Sequence, residues 1–501
     1  MRDPDVVVIG AGPNGLVAAA HLARAGLSTL VLESKSRVGG ACASRSLTLP
    51  GFVHDVGAGF FPFASESPAL TELALGDHGL SLCHAPIDSA HPALDGSCGV
   101  IARDHARAFA LLGDDASAWR PIYEWIAESS ARLLPALLGP IDDVQGKLGV
   151  DLPSMLMLAE AGLSSARGFS RRVRAEASRR VVPGLGLHAD VAPDDALGGA
   201  VGFMLAALAS KSGFPVARGG AQSISDALAR VVEGASGVVQ TSARVRSIVV
   251  RGGRAVAVVL ESGEEIAAKV AIVADTGAPA LFLKLLPDGA VPARLVKKMR
   301  RYPYGWGTFK IDWALSGAVP FTSEPCRSAA VVHAGESVDD LQRFSREVRA
   351  GVLPRDPYLV LGQASLADPT RAPSGQHTLY AYTHVPSMID GGWADARERF
   401  ADVVEQRIES LAPGFRKLVL ARAIHDPSDL ERFCENLVGG DLGGGSAAIT
   451  NQLVFRPAFP WFRHKTPVAG LYLGSSYAHP GTGVHGACGW NAARAVLRNE
   501  V

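Results

Sequence analysis

Val6-Val7-Val8-Ile9-Gly10-Ala11-Gly12-Pro13-Asn14-Gly15 is the stretch whose reading decides the fold. Four β-branched apolar residues in a row suit a strand buried on both faces of a parallel sheet. The glycines that follow have separate uses: Gly10 permits a tight turn, Gly12 lets backbone approach a pyrophosphate, and Gly15 lets the next helix sit close to the strand. The Ala-rich run 16–25 reads as that helix, stopped by Gly26, with unpaired N–H groups and a positive dipole at its start. A second apolar strand over 28–32 delivers Glu33, whose acceptor-only carboxylate suits both hydroxyls of a ribose and disfavours the 2′-phosphate of NADP. With Pro13, Asn14 and Ser34 these residues make up an ADP half-site, and NAD and FAD both remain open.

The continuation Arg37-Val38-Gly39-Gly40-Ala41-Cys42 bears on that choice. Here the chain resembles the FAD-binding amine oxidase and phytoene desaturase superfamily, in which an acid, an arginine and a glycine pair extend the fingerprint along the flavin's diphosphate. The resemblance implies charge-assisted hydrogen bonds from Arg37 and close passage of the backbone at Gly39, Gly40 and Ala41. Relatives often carry another arginine after the pair, where this chain has Ala41-Cys42, so the phosphate contacts nearest the flavin are expected to differ.

The other end of the chain carries the second strong signal. Phe455-Arg456-Pro457 precedes a strand over 470–474, then Ser475-Ser476-Tyr477-Ala478-His479-Pro480-Gly481-Thr482-Gly483-Val484-His485-Gly486 opens a helix over 487–497. Glycine-rich backbone opening a helix aims N–H groups at something negative. This is similar to the HPGxGVxG terminus of phytoene desaturases, carotenoid isomerases and, above all, the pyridine nucleotide-disulphide oxidoreductase domain 2 type. The resemblance places Gly474, Gly481, Thr482, Gly483 and Val484 at the flavin and the Val245 backbone at the adenine.

The implied fold class is α/β: a discontinuous Rossmann-type FAD-binding domain (1–79, 214–290 and 440–501), a helical insertion forming a substrate cap (80–213), and a substrate domain with a mixed sheet (291–439). The helices of the insertion are read at 116–125, 126–138, 153–161 and 196–209, and a three-stranded meander at 244–274. Trp306, Phe309 and Trp313 read as falling on different faces of a strand over 305–315, with packing roles. A further helix is expected over 415–421. Composition limits function as well. With 501 residues the chain exceeds one ordinary core. Its 49 Lys and Arg balance 49 Asp and Glu, so no net basic field recruits nucleic acid. Six scattered cysteines without a CxxC argue against zinc or a disulfide framework, and no metal is expected. No leader is expected ahead of the first strand and no apolar run reaches the roughly twenty residues of a membrane span, so a cytoplasmic protein is expected. The arginines between 167 and 180 read as a solvated face, with an anionic membrane surface or an acidic substrate as the other readings, which leaves membrane association open.

An FAD frame of this kind suits a desaturase: hydride and a neighbouring proton leave a C–C bond of an apolar, polyene-like small molecule, and oxygen or a quinone takes the electrons. His485 is the candidate base, since a neutral imidazole near the flavin takes a proton; the alternative is that it hydrogen-bonds the flavin or packs. His54 and Asp55 are weaker candidates, read equally well as turn residues. Other readings are an amine or amino-acid oxidase, a flavin-dependent polyene isomerase, and a non-catalytic FAD-binding protein.

Overall fold

A computed structural model describes residues 3–196 and 198–501. Met1, Arg2 and Leu197, which fall in the expected N-terminus and at the start of the expected 196–209 helix, lie outside the described residues. Strand Val6–Ile9, almost wholly inaccessible, is the centre of a five-stranded parallel sheet. Ala271–Ala274 and then Leu471–Leu473 lie on one side of it, Thr29–Leu32 and then Val238–Gln240 on the other. One sheet is thus assembled from three distant parts of the chain. Helix Pro13–Arg24 starts with a proline, which costs nothing where the N–H has no partner anyway. Its small residues let it pack closely between Gln222–Gly234 and Ala487–Glu500.

A seven-stranded mixed sheet forms the second layer, in the order Val419–His425, Gly307–Leu315, His377–Val385, Leu359–Gly362, Ala329–Ala334, Ile87–Pro92, Cys98–Ile101. The last two strands correct the expectation of a purely helical segment from residue 80. Ile87–Pro92 pairs parallel with Ala329–Ala334 and carries buried Asp88, Ser89 and His91, so no apolar alternation announces it. Those polar groups are satisfied at long range: Asp88 takes the N–H groups of Arg103 at 2.8 Å and Phe214 at 3.0 Å.

Four further expectations are corrected. Residues 116–138 form one helix, Ala116–Leu138, which holds Pro121 and Pro135 internally because its apolar face is buried along its whole length. The run expected as a helix over 415–421 splits into Phe415–Leu418 and strand Val419–His425. That strand adds to the sheet edge, and Arg422 ties it to Glu398, Asp402 and Glu405 of helix Trp393–Leu411. The meander ends at Glu265–Ala267, and Ala271–Ala274 returns to the parallel sheet. Phe309 and Trp313 share one face, as the period of two requires, and pack with Phe400 and Phe415 respectively; Lys310 and Asp312 occupy the other face.

Candidate cofactor and active site

The N-termini of the first and last helices converge. Gly489 lies so near the first helix that a Cβ on it would stand 1.8 Å from the Asn14 carbonyl oxygen. Gly10 holds φ +96°, and a Cβ on Gly15 would sit 2.2 Å from the Gly10 carbonyl, so the sequence reading of this turn corresponds to its geometry. The Gly39-Gly40 turn lies directly on it: Gly39 N–H donates to Ala11 O at 2.8 Å, and a Cβ on Gly40 would meet Gly12 Cα at 3.3 Å. Backbone at Gly12, Pro13, Gly40 and Ala41 keeps partial access to solvent at one end of the cleft. Thr482 and Gly483 are exposed and Val484 is partly so at the other.

Glu33 closes the strand Thr29–Leu32. Its carboxylate accepts from Ala11 N–H at 2.9 Å, Lys35 N–H at 2.8 Å and Ser34 Oγ at 3.1 Å. The Glu33 carbonyl accepts from Ala243 N–H at 2.8 Å, which brings the start of the Val245 strand beside it. Arg37 points outward instead, half exposed and 4.0 Å from Asp226. Gly474 is buried between Val273 and Ala492, where it permits close packing. Asp275 seats a carboxylate oxygen 2.9 Å from Gly15 N; burial, with Glu33 nearby, pushes its carboxyl up to about 7. The Cys42 thiol is buried and pushed up to about 12, so no thiolate is poised for a covalent flavin link.

The loop Gly481 to Gly486 turns on three positive-φ glycines, Gly481, Gly483 and Gly486. Thr482 Oγ1 donates to Gly443 O at 3.1 Å. His485 is fully enclosed: its Nδ1 lone pair accepts from Ala487 N–H at 3.1 Å, Phe63 packs edge-on, and its Nε2 has no partner. Burial lowers its pKa to about 4, as it does those of His464 and His479. These three imidazoles are neutral in the fold and charged when unfolded below about pH 6.5. Their stabilisation is complete above that pH and is lost as pH falls toward 4, each contributing up to about 1.4 kcal/mol per pH unit. Asp275, raised from 3.8, works the other way: its contribution is present below 3.8 and lost as pH rises to 7. Three imidazoles outweigh one carboxyl, so the melting temperature, followed by flavin fluorescence, is expected to fall between pH 6.5 and 4. A flat profile would contradict these burial assignments.

Across the cleft the mixed sheet presents groups that no short motif signals. His384 Nδ1 lies 3.0 Å from Asp190 Oδ1, and its Nε2 donates to Leu187 O at 2.7 Å. Burial opposes charge on this imidazole, yet the Asp190 carboxylate and the Leu187 carbonyl raise its pKa. Asp190 itself holds φ +63°, a strained conformation for a residue with a Cβ. The space at Gly305 connects it to the flavin loop: a Cβ there would stand 2.6 Å from Asp190 Oδ2 and 2.8 Å from Asp441 Oδ1. Asp441 takes the N–H groups of Gly305, Gly443 and Gly445, and Gly443 is the partner of Thr482. His54 and Asp55 have partners other than this dyad, although Asp312, which His54 meets, shares the sheet face of His384. His54 lies 3.5 Å from Asp312, and Asp55 accepts from Ser44, Ala221 and Arg371. Burial disfavours charge on Asp312, but Lys310 and His54 hold its carboxyl below the usual value.

The groups present fit a flavin dinucleotide. Two helix N-termini point at one cleft, backbone without side chains lines it, and Asn14 Oδ1 is buried with no protein partner. Residues 14–311 match the family of flavin-containing amine oxidoreductases, and the chain belongs to that family. It is an FAD-dependent oxidoreductase. The mouse pyridine nucleotide-disulfide oxidoreductase domain-containing protein 2 is 29% identical, over 99% of this chain and 93% of the relative. A limonene dehydrogenase polypeptide of Castellaniella defragrans is 24% identical over 100% and 95%. The neurosporene-forming phytoene desaturase of Rhodobacter capsulatus is 28% identical over 57% and 54%. Among solved structures, an oxidoreductase from Methanosarcina mazei superposes with a TM-score of 0.61 at 18% identity, covering 99% of this chain and all of that one. Putrescine oxidase bound to putrescine gives 0.60 at 17%, covering 99% of both. These two share the fold.

Proposed function

We propose that this oxidoreductase is a dehydrogenase that forms a C=C bond in an apolar, polyene- or terpene-like small molecule. One observation carries the reading: Leu134, Leu138 and Leu208 of the cap helices pack with Ala487 at the start of the last helix, with Phe63 and Met204 beside them. The wall next to the flavin loop is therefore hydrocarbon, which suits a substrate without charge. Relatives whose names include phytoene desaturase, limonene dehydrogenase and hydroxyneurosporene desaturase support the same class. FAD, when bound, accepts the hydride. The chain supplies the backbone of Gly10 to Gly15 and Glu33 for the ADP half, the loop Gly481 to Val484 for the ring, and a dry apolar enclosure. Asp190, held by His384, is the proposed acceptor for the neighbouring proton. His485 shapes the loop, because its lone pair is already used by Ala487. Oxygen or a quinone is proposed as the final acceptor.

Contact with a lipid surface belongs to the same reading. Leu152, Met155, Leu156 and Leu163 lie exposed along one face of helix Leu152–Leu163, and cosedimentation with anionic vesicles tests it. Among the described residues no helix is long and apolar enough to cross a membrane. The function itself is tested by anaerobic mixing of the yellow holoenzyme with carotenoid precursors, monoterpenes, and primary amines. Bleaching by a hydrocarbon, with a product two hydrogens lighter, is expected. Bleaching by amines alone would overturn the proposal, and an isomer of unchanged mass would replace dehydrogenation with isomerisation.

A further inference from the structure

Arg456 is fully buried, and its hydrogen bonds go to main-chain carbonyls. Nε donates to Ser476 O at 2.9 Å, and Nη2 to Ser476 O at 2.6 Å, Gly443 O at 2.7 Å and Gly444 O at 3.0 Å. Nη1 is buried with no partner. The guanidinium sits directly beneath the flavin loop, where a Cβ on Gly481 would lie 3.1 Å from its Cζ and 3.5 Å from Nη1. The acid nearest in chain to these carbonyls, Asp441, is committed to three backbone N–H groups. Among the described residues no carboxylate pairs directly with this guanidinium, and a cation so held in dry protein gains when further negative charge develops nearby. A hydride delivered to FAD, two electrons with one proton, leaves one net negative charge on the ring.

We infer that Arg456 is a positioning residue whose fixed charge, acting through the Gly481-Thr482 turn, stabilises reduced FAD and raises the cofactor's reduction potential. The inference rests on the reading that the flavin ring lies at this loop. It adds a role that the glycines cannot supply, since N–H dipoles carry no net charge. It also accounts for the buried side chain beside Gly481, where a neutral residue would pack with less cost.

Spectroelectrochemical titration of the holoenzyme tests it on wild type, Arg456→Lys and Arg456→Gln. Loss of the charge is expected to lower the ratio of reduced to oxidised flavin at fixed potential at least tenfold, a shift of about 30 mV or more to the negative side. Arg456→Lys is expected to retain most of the wild-type value, which a purely structural role would not predict. An Arg456→Gln protein that holds FAD at the wild-type potential overturns the inference. A second probe needs no variant: sulfite adds to oxidised flavin as an anion, so wild type is expected to lose its yellow absorbance on sulfite titration, and failure to react overturns the inference. Wild-type protein that holds no FAD overturns the placement of the cofactor itself, a failure visible before any variant is compared.

Discussion

Replacing Arg371 with methionine is expected to destabilise the fold by about 3–5 kcal/mol, a large fraction of the stability of an ordinary domain. Arg371 is wholly buried and bridges Asp55, at 3.0 Å, and Asp368, at 3.2 Å. It also donates to Ala217 O at 3.0 Å. Asp55 lies in strand His54–Asp55, Ala217 in strand Val216–Ala217, and Asp368 just after helix Ala364–Ala367. One guanidinium thus ties together three parts of the chain that are far apart in sequence. Its carboxylates do further work: Asp55 accepts from Ala221 N–H at 2.8 Å and Asp368 from Gly219 N–H at 2.7 Å. Removing the cation leaves two buried carboxylates facing one another without a counter-charge. Denaturant unfolding of Arg371→Met against Arg371→Lys measures the loss; a change below about 1 kcal/mol, the range of a surface pair, would show that the network is not what joins the segments.

Asp190→Asn is expected to slow substrate-driven flavin reduction by about 10²–10⁴, the usual range for loss of a positioned general base, while FAD content stays at the wild-type level. The amide keeps the shape of the carboxylate and its close approach to His384, so the strained turn at Asp190 survives. What it loses is the capacity to accept a proton. His384→Gln is expected to have a smaller effect, because it removes the partner and leaves the acceptor. Stopped-flow reduction with whichever hydrocarbon bleaches the wild type gives the numbers. An Asp190→Asn enzyme that reduces at the wild-type rate would remove Asp190 from the chemistry.

The chain's two ends are readable because their signals are local. Gly10 to Gly15, Glu33 and Gly481 to Gly486 owe their placement to backbone conformations that few residues other than glycine adopt, or to a position at a strand end, and both are written in a few consecutive letters. The family assignment bears out FAD, which the first fifteen residues alone leave undecided. Asp190, His384 and Arg371 are silent for the opposite reason: Asp190 and His384, and Arg371 and Asp55, are separated by long stretches of chain, so none is distinctive until the fold assembles. Strand Ile87–Pro92 gives no signal because its buried polar groups find partners across the fold. The helix expected over 415–421 fails in its second half because an available sheet edge outweighs local propensity. Arg456 is visible as part of Phe455-Arg456-Pro457, but only the ring of carbonyls around it shows a buried cation without a directly paired carboxylate.

A crystal structure of the holoenzyme tests the account most directly. It is expected to show the diphosphate against Gly12 to Gly15, the ribose hydroxyls on Glu33, and the flavin ring between the Gly481 to Val484 loop and the pair formed by His384 of the mixed sheet and Asp190 of the turn after helix Val181–His188. A ring lying elsewhere, or walled off from Asp190 by protein, would contradict it.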